Sequence, residues 1–220
     1  MAAQLDAILL DVDGVLIDSL RVKGDAFATA FSDHPDRRDE IVDLHLANGG
    51  VNRIEKISRM HVLAVGRQPT EAELASRVEA FAAAVRDGVI AAPEIPGAEA
   101  ALRAWSGVVP LHAVSATPQG ELEVILEARG IASLLTSVEG WPPGKSDLVG
   151  GLLERCGYRP ERCVVVGDSR EDLAAATSNG TFFIQVSSTE ATDFPEATTV
   201  IRDLTALGEA IHGLVAAPGH

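Results

Sequence analysis

Cysteine is scarce: Cys156 and Cys163 are the only two in 220 residues. Two thiols cannot build a disulfide framework, and a reduced, cytoplasmic setting is the simplest expectation. No His or Cys lies at short ligand spacing beside them, which argues against zinc. Aromatic residues make up only 4% of the chain, so the core is expected to be mostly Ala, Val, Leu and Ile. No uninterrupted apolar run reaches the ~18 residues a spanning helix needs, so no membrane partner is expected. The N-terminus lacks a basic segment ahead of an apolar one, and no signal peptide is read there. Basic residues are also short, 18 against 32 acidic ones for a net charge of -14, which argues against nucleic-acid binding.

What is present is an ordinary globular composition, 46% hydrophobic and 23% charged, in a chain long enough for one sizeable core and a smaller appended unit. The charge is unevenly spread. Residues 19–92 carry a net -1 and the remainder -13. An anionic substrate would meet an acidic core, so a metal cation and a few placed basic groups would have to offset the repulsion. Between residues 19 and 90 the pattern is helical: 19–31, 36–46, 51–63 and 70–90, the last opening on a Thr70/Glu73 capping box. Pro93-Glu94-Ile95-Pro96-Gly97 then breaks the chain. Strands at 108–115, 134–138, 162–166 and 181–186 alternate with helices at 118–129, 145–156, 171–178 and 204–215. This alternation predicts an α/β, Rossmann-like parallel sheet. The expected division is a core of residues 1–18 and 93–220 with an inserted all-helical domain at 19–92.

The chemistry concentrates at strand ends. Asp11-Val12-Asp13-Gly14-Val15 follows the apolar run 5–10. Two carboxylates one residue apart at a strand's C-terminal edge suit nucleophilic attack by one and proton transfer by the other, and Gly14 lets the chain turn away. His112-Ala113-Val114-Ser115-Ala116-Thr117-Pro118 puts a hydroxyl where it could hold a phosphate oxygen or simply cap the next helix. Pro142-Pro143-Gly144-Lys145 delivers a lysine to a helix start, against the helix dipole, which hints at an anionic or carboxylate partner. Val164-Val165-Val166-Gly167-Asp168-Ser169-Arg170-Glu171-Asp172 ends another strand in an aspartate that could share a hard cation with Asp11. Asp172 is expected behind it, orienting Lys145 or a metal-bound water, and Ser169 could cap the following helix.

In this order the four motifs resemble the haloacid-dehalogenase-like superfamily of phosphatases over nearly the whole chain. The helical insert resembles the cap of its phosphoglycolate-phosphatase and sugar-phosphatase branch. The resemblance implies Mg2+ held by the Asp11 carboxylate, the Asp13 backbone carbonyl and Asp168. It implies that Asp11 attacks phosphorus to form an aspartyl-phosphate, and that Asp13 protonates the leaving alkoxide and then deprotonates the attacking water. Ser115, Ala116, Lys145 and backbone N–H groups near Val12 and Ala116 would hold the phosphate. Burial is expected to raise the Asp13 carboxyl at some stage, and the metal to keep Asp11 ionised.

Dehalogenases and phosphonate hydrolases of the superfamily lack the second aspartate, so Asp13 favours ester hydrolysis. Phosphoglucomutase-like members usually carry histidine where this chain has Lys23, which weakens a phosphosugar-mutase reading. A non-catalytic binding or regulatory module is the further alternative. In the insert, Asn48-Gly49-Gly50-Val51-Asn52-Arg53 could close over a small phosphate-ester substrate. Gly50, Asn52, Arg53 and Lys56 are candidate specificity residues, with Arg53 or Lys56 meeting a second anionic or hydroxyl group. The same segment equally reads as a turn between helices. His45 and His61 are expected on helix surfaces. Oligomeric state is not legible in the sequence.

Overall fold

Ala7–Leu10 (β1) is a buried apolar strand and occupies the middle of a sheet. The computed structural model describes residues 5–187, 194 and 199–216. Five further strands are Leu111–Pro118 (β2), Ser137–Trp141 (β3), Cys163–Gly167 (β4), Phe182–Val186 (β5) and Val200–Ile201 (β6). They pair in the order β3-β2-β1-β4-β5-β6, every pair parallel. Leu10 is level with Ala113 of β2 on one side and Val166 of β4 on the other. The chain order therefore reverses across β1. Ligands of such sheets bind in the crevice at the strand ends where this reversal occurs.

Helices cover both faces, and the strands alternate accordingly. On one face Ile8, Leu10, Ala113, Val164 and Val166 are buried in one apolar cluster. On the other, Leu9, Val114 and Val165 pack with Leu148 and Leu152. The latter two lie on Lys145–Cys156 (α7), the seventh helix after Leu20–Ala30 (α1), Arg38–Leu46 (α2), Arg53–Val65 (α3), Glu71–Ala91 (α4), Ala98–Trp105 (α5) and Gln119–Ala128 (α6). Arg170–Asn179 (α8) and Leu207–Ala216 (α9) complete the set.

Helices α1–α4 follow one another between β1 and the return to the sheet. Their inward residues Phe27, Phe31, Ile57, Met60 and Phe81 join the first apolar cluster, and Phe27 stacks on Phe81 at 4.1 Å. The Thr70/Glu73 capping box opens α4. At its other end, Arg129 Nη1 donates to the carbonyls of Val89, Ile90 and Ala92 at 3.3, 2.8 and 2.7 Å. These carbonyls close the C-terminal end of α4, and a cation from α6's end meets them.

Several sequence expectations shift. Strand β2 begins at Leu111 because the amides of Val108 and Val109 turn back to the Trp105 carbonyl, leaving Val108 64% exposed. Strand β3 begins at Ser137 because Leu134 and Leu135 donate to Ile131 and Ala132 in a tight turn. Helix α5 and the two-residue β6 were not expected at all. His61 is a correction: it is buried, both ring nitrogens lack a partner, and burial lowers its pKa.

Candidate active site

The chain leaves β1 at Asp11, whose N–H donates to the Val166 carbonyl at 2.9 Å. That bond places Asp11 beside the end of β4 and the Gly167-Asp168 turn. Asp11 Oδ1 accepts from the Val12 amide at 2.7 Å, so this amide, expected on phosphate, is engaged by the aspartate. Asp11 Oδ2 lies 2.7 Å from Lys145 Nζ. Gly14 follows at φ +82°, and a Cβ on it would overlap Asp168 Oδ2. Glycine is therefore required there twice, for the left-handed backbone and for the approach of Asp168 to the Asp13-Gly14 backbone.

Lys145 begins α7 with its side chain buried. Its ammonium bridges Asp11 and Asp172, the latter at 2.6 Å. The carboxylate partner hinted at by a lysine at a helix start is thus a pair of carboxylates. Both oxygens of Asp172 are committed: Oδ1 to Lys145, Oδ2 to the Ser169 amide at 3.1 Å and to its hydroxyl. Ser169 in turn caps α8 by accepting from the Asp172 amide. Asp172 orients Lys145, and Ser169 holds Asp172.

Asp11, Asp168 and Asp172 each offer an oxygen within 4.8 Å of the others. Burial first, then repulsion from Asp172 and Asp13, pushes the Asp11 carboxyl up to about 7 despite Lys145. Asp168 is raised strongly by burial and by Asp11 and Asp172. Buried carboxylates this close repel unless a cation separates them, and a hard divalent ion suits all-oxygen donors. Of the three, Asp11 and Asp168 line the cavity and Asp172 does not, so Asp11 and Asp168 are the donors placed for a cation there. The donor set fits such an ion.

Ser115 lies inside β2 rather than at its end, and its hydroxyl accepts from the Thr117 amide at 3.1 Å. With Ala116 and Thr117 it lines a cavity of about 50 Å3 that also touches Asp11, Asp13, Lys145 and Asp168. The sequence-selected residues Asp11, Asp13, Ser115, Ala116, Lys145 and Asp168 all meet there.

The α1–α4 segment closes the cavity. Gly50 adopts φ +75°, and a Cβ there would crowd Ser169 Oγ and the Glu171 Cβ. The loop therefore rests on the turn that carries Asp168. Asn52 does not line the cavity among the described residues; it caps α3 by accepting from the Glu55 amide. Arg53 does line it, but pairs with Glu121 of α6 at 2.6 Å and lies over the Phe81 ring. Lys56 lines it too and is buried.

Three side chains of the cavity escaped the sequence reading as site residues. Lys23 Nζ lies 2.5 Å from Asp13 Oδ2 and 3.0 Å from Thr117 Oγ1. Burial alone would raise the Asp13 carboxyl. Lys23, the Ser19 hydroxyl and Lys145 overcome it and hold Asp13 down at about 2. The expected rise of Asp13 is not found in this state. Thr117 Oγ1 also donates to Asp13 at 3.2 Å. The third is His45, 2% exposed instead of on a helix surface. Its Nε2 meets the Leu20 carbonyl at 3.0 Å and its Nδ1 meets Lys56 Nζ at 3.2 Å. A spacing rule identifies none of these, because Lys23 and Thr117 meet Asp13 from α1 and β2, and His45 meets Lys56 from another helix, all across long sequence separations or helix packing.

A family model of haloacid dehalogenase-like hydrolases matches residues 5–180. No curated protein matches the chain. Among solved structures, a predicted phosphoglycolate phosphatase from Haemophilus somnus superposes with TM-score 0.79 at 20% identity, covering 94% of this chain and 98% of that one. CbbY from Rhodobacter sphaeroides, solved with phosphate, gives 0.75 at 22% identity over 93% and 97%. A candidate β-phosphoglucomutase from Bacteroides vulgatus gives 0.78 at 17% identity over 98% and 92%. At these identities the likeness shows the fold. No described helix is long and apolar enough to cross a membrane.

Proposed function

Because this chain belongs to the haloacid dehalogenase-like hydrolases, we propose that it is a Mg2+-dependent phosphatase of a small phosphorylated metabolite, of the phosphoglycolate or sugar-phosphate type. Residues 19–92 act as its cap. One observation carries this reading: Lys145 joins Asp11 to Asp172 in a buried ion-pair network, with Asp13, Ser115 and Asp168 around the same cavity.

The reaction follows from these groups. Asp11, aimed by Lys145, attacks phosphorus as its carboxylate while the bond to the ester oxygen breaks. The bonding pair leaves with the alkoxide, and Asp13 gives that oxygen a proton. Asp13, now a carboxylate, takes a proton from water, which attacks the aspartyl-phosphate and regenerates Asp11. Lys145 and the Ser115 hydroxyl hold the equatorial oxygens, since phosphoryl transfer needs positioning and charge neutralisation above all. Asp11, Asp168 and the Asp13 carbonyl would hold Mg2+, which when bound neutralises charge on the phosphate. A carboxyl held at about 2 is a base at neutral pH. The Lys23 contact therefore suits the water-activating half of the cycle, and acid duty requires it to loosen.

A phosphosugar mutase is the second reading, since it shares the fold of one neighbour. Incubating the protein with Mg2+ and a panel of 2-phosphoglycolate, sugar phosphates and nucleotides separates the readings. Inorganic phosphate released with Mg2+ and not with EDTA is expected. Isomerised hexose phosphate without free phosphate would favour the mutase, and neither product would favour a binding module.

A further inference from the structure

Four cations line the cavity: Lys23, Arg53, Lys56 and Lys145. Three have carboxylate partners: Lys23 has Asp13, Arg53 has Glu121, and Lys145 has Asp11 and Asp172. Lys56 is the exception among the described residues. It is 5% exposed, and among the described residues its ammonium has one hydrogen-bond partner, the His45 ring.

The imidazole is neutral and its tautomer is set by its neighbours. A carbonyl can only accept, so His45 Nε2 carries the proton toward Leu20 and Nδ1 turns a lone pair to Lys56. Burial, then repulsion from Lys56, drives the His45 pKa down to about 3. His45 therefore orients the ammonium without balancing its charge. A buried cation is costly unless an anion meets it, and an ammonium has three donors, of which His45 takes one.

Lys56 also reaches the cavity from a different side of the fold than the strand ends. Lys56 and His45 belong to α3 and α2, while Ser115, Lys145 and Asp11 hold the core side. Leu20, Phe27 and Phe81 add an apolar part to the same wall. The space is about 50 Å3, a few waters' worth, which favours a short substrate over a nucleoside.

Building on the phosphatase reading, we infer that Lys56, oriented by His45, receives a second anionic group, a carboxylate or a phosphate, at the far end of a short phosphomonoester. Arg53, committed to Glu121, fastens the α3 end of the insert to α6 instead.

The test compares substrates as a ratio, so that general damage cancels. Phosphate release is measured with Mg2+ for 2-phosphoglycolate, 1,3-propanediol bisphosphate, and the uncharged-tail control ethyl phosphate, using wild type, Lys56→Met and Lys56→Gln. In the wild type at least one of the two substrates with a second anionic group exceeds ethyl phosphate in kcat/KM by roughly 10- to 100-fold, the span of a charged hydrogen bond. Which of the two is preferred tells carboxylate from phosphate. In both variants the ratio falls to about one. A ratio that survives, a wild type with no preference, or equal losses on both kinds of substrate would overturn the inference; equal losses would place Lys56 on the transferring phosphate.

Should no substrate turn over, the phosphatase reading fails by itself, and binding decides the inference. By calorimetry, wild type should hold 3-phosphonopropionate at least about tenfold more tightly than propylphosphonate, and Lys56→Met should hold them equally. Equal binding by wild type would refute it.

Discussion

Lys23 Nζ sits 2.5 Å from Asp13 Oδ2, so the first helix of the insert grips the second aspartate of the first motif. This contact couples the position of the insert to the proton affinity of Asp13. Lys23→Met removes the cation that offsets burial, so the Asp13 carboxyl should rise from about 2 past its ordinary value of ~3.9. The alkaline limb of the kcat/KM profile, where Asp13 must still carry the proton it gives to the alkoxide, should move up by at least about one pH unit. A variant that loses activity with an unmoved profile would make Lys23 merely structural.

Asp13→Asn tests proton transfer itself. General acid–base catalysis contributes about 10²- to 10⁴-fold, and the need for it depends on the leaving group. An alkyl phosphate should lose activity within that span, while p-nitrophenyl phosphate, whose leaving group needs no proton, should lose markedly less. Equal losses for both esters would count against an acid role.

Gly14→Ala addresses the cation. Its φ of +82° and the overlap of a Cβ with Asp168 predict a cost of about 1–2 kcal/mol from the backbone alone, with Asp168 displaced. Wild-type Tm should rise with millimolar Mg2+ by mass action, and the variant should lose most of that rise. An undiminished Mg2+ effect would put the cation elsewhere.

His112 gives a stability signature. It is buried against Ser137 and Tyr158, and burial lowers its pKa to about 4. Above pH ~6.5 the ring is neutral in both the folded and the unfolded chain. Below it the unfolded chain takes up a proton that the fold refuses, so this contribution is lost as pH falls toward 4. Asp11 and Asp168 act in the opposite sense, and comparison with His112→Gln in EDTA cancels them. The stability gap between wild type and variant should shrink by about 2 kcal/mol from pH 6.5 to 5. A constant gap in urea unfolding would contradict the shift.

The sequence was most legible where local chemistry and long-range structure agree. Helix α7 was read to the residue because Gly144 and Gly157 bound it. Asp11, Ser115, Lys145 and Asp168, which line one cavity, stand out in the sequence because each lies at or near the end of an apolar strand or the start of the next helix. The failures have a common cause. Leu134 and Leu135 look like strand but spend their amides in a turn. Helix α5 is eight residues long, entered through Gly97, and its signal hides behind the Pro-Gly break. Lys23 and His45 stand on helices whose surroundings depend on how α1–α3 pack over the sheet, and periodicity along one helix carries no record of that.

The account stands on Asp11 as the atom donor to phosphorus. A sample turning over substrate can be quenched in acid, reduced with borohydride, digested and read by mass spectrometry, which converts an acyl phosphate to homoserine. Homoserine at position 11, absent from Asp11→Asn and from unsubstrated enzyme, is the expected result. Phosphate release without that mark, or reduction at Asp13 or Asp168 instead, would contradict it.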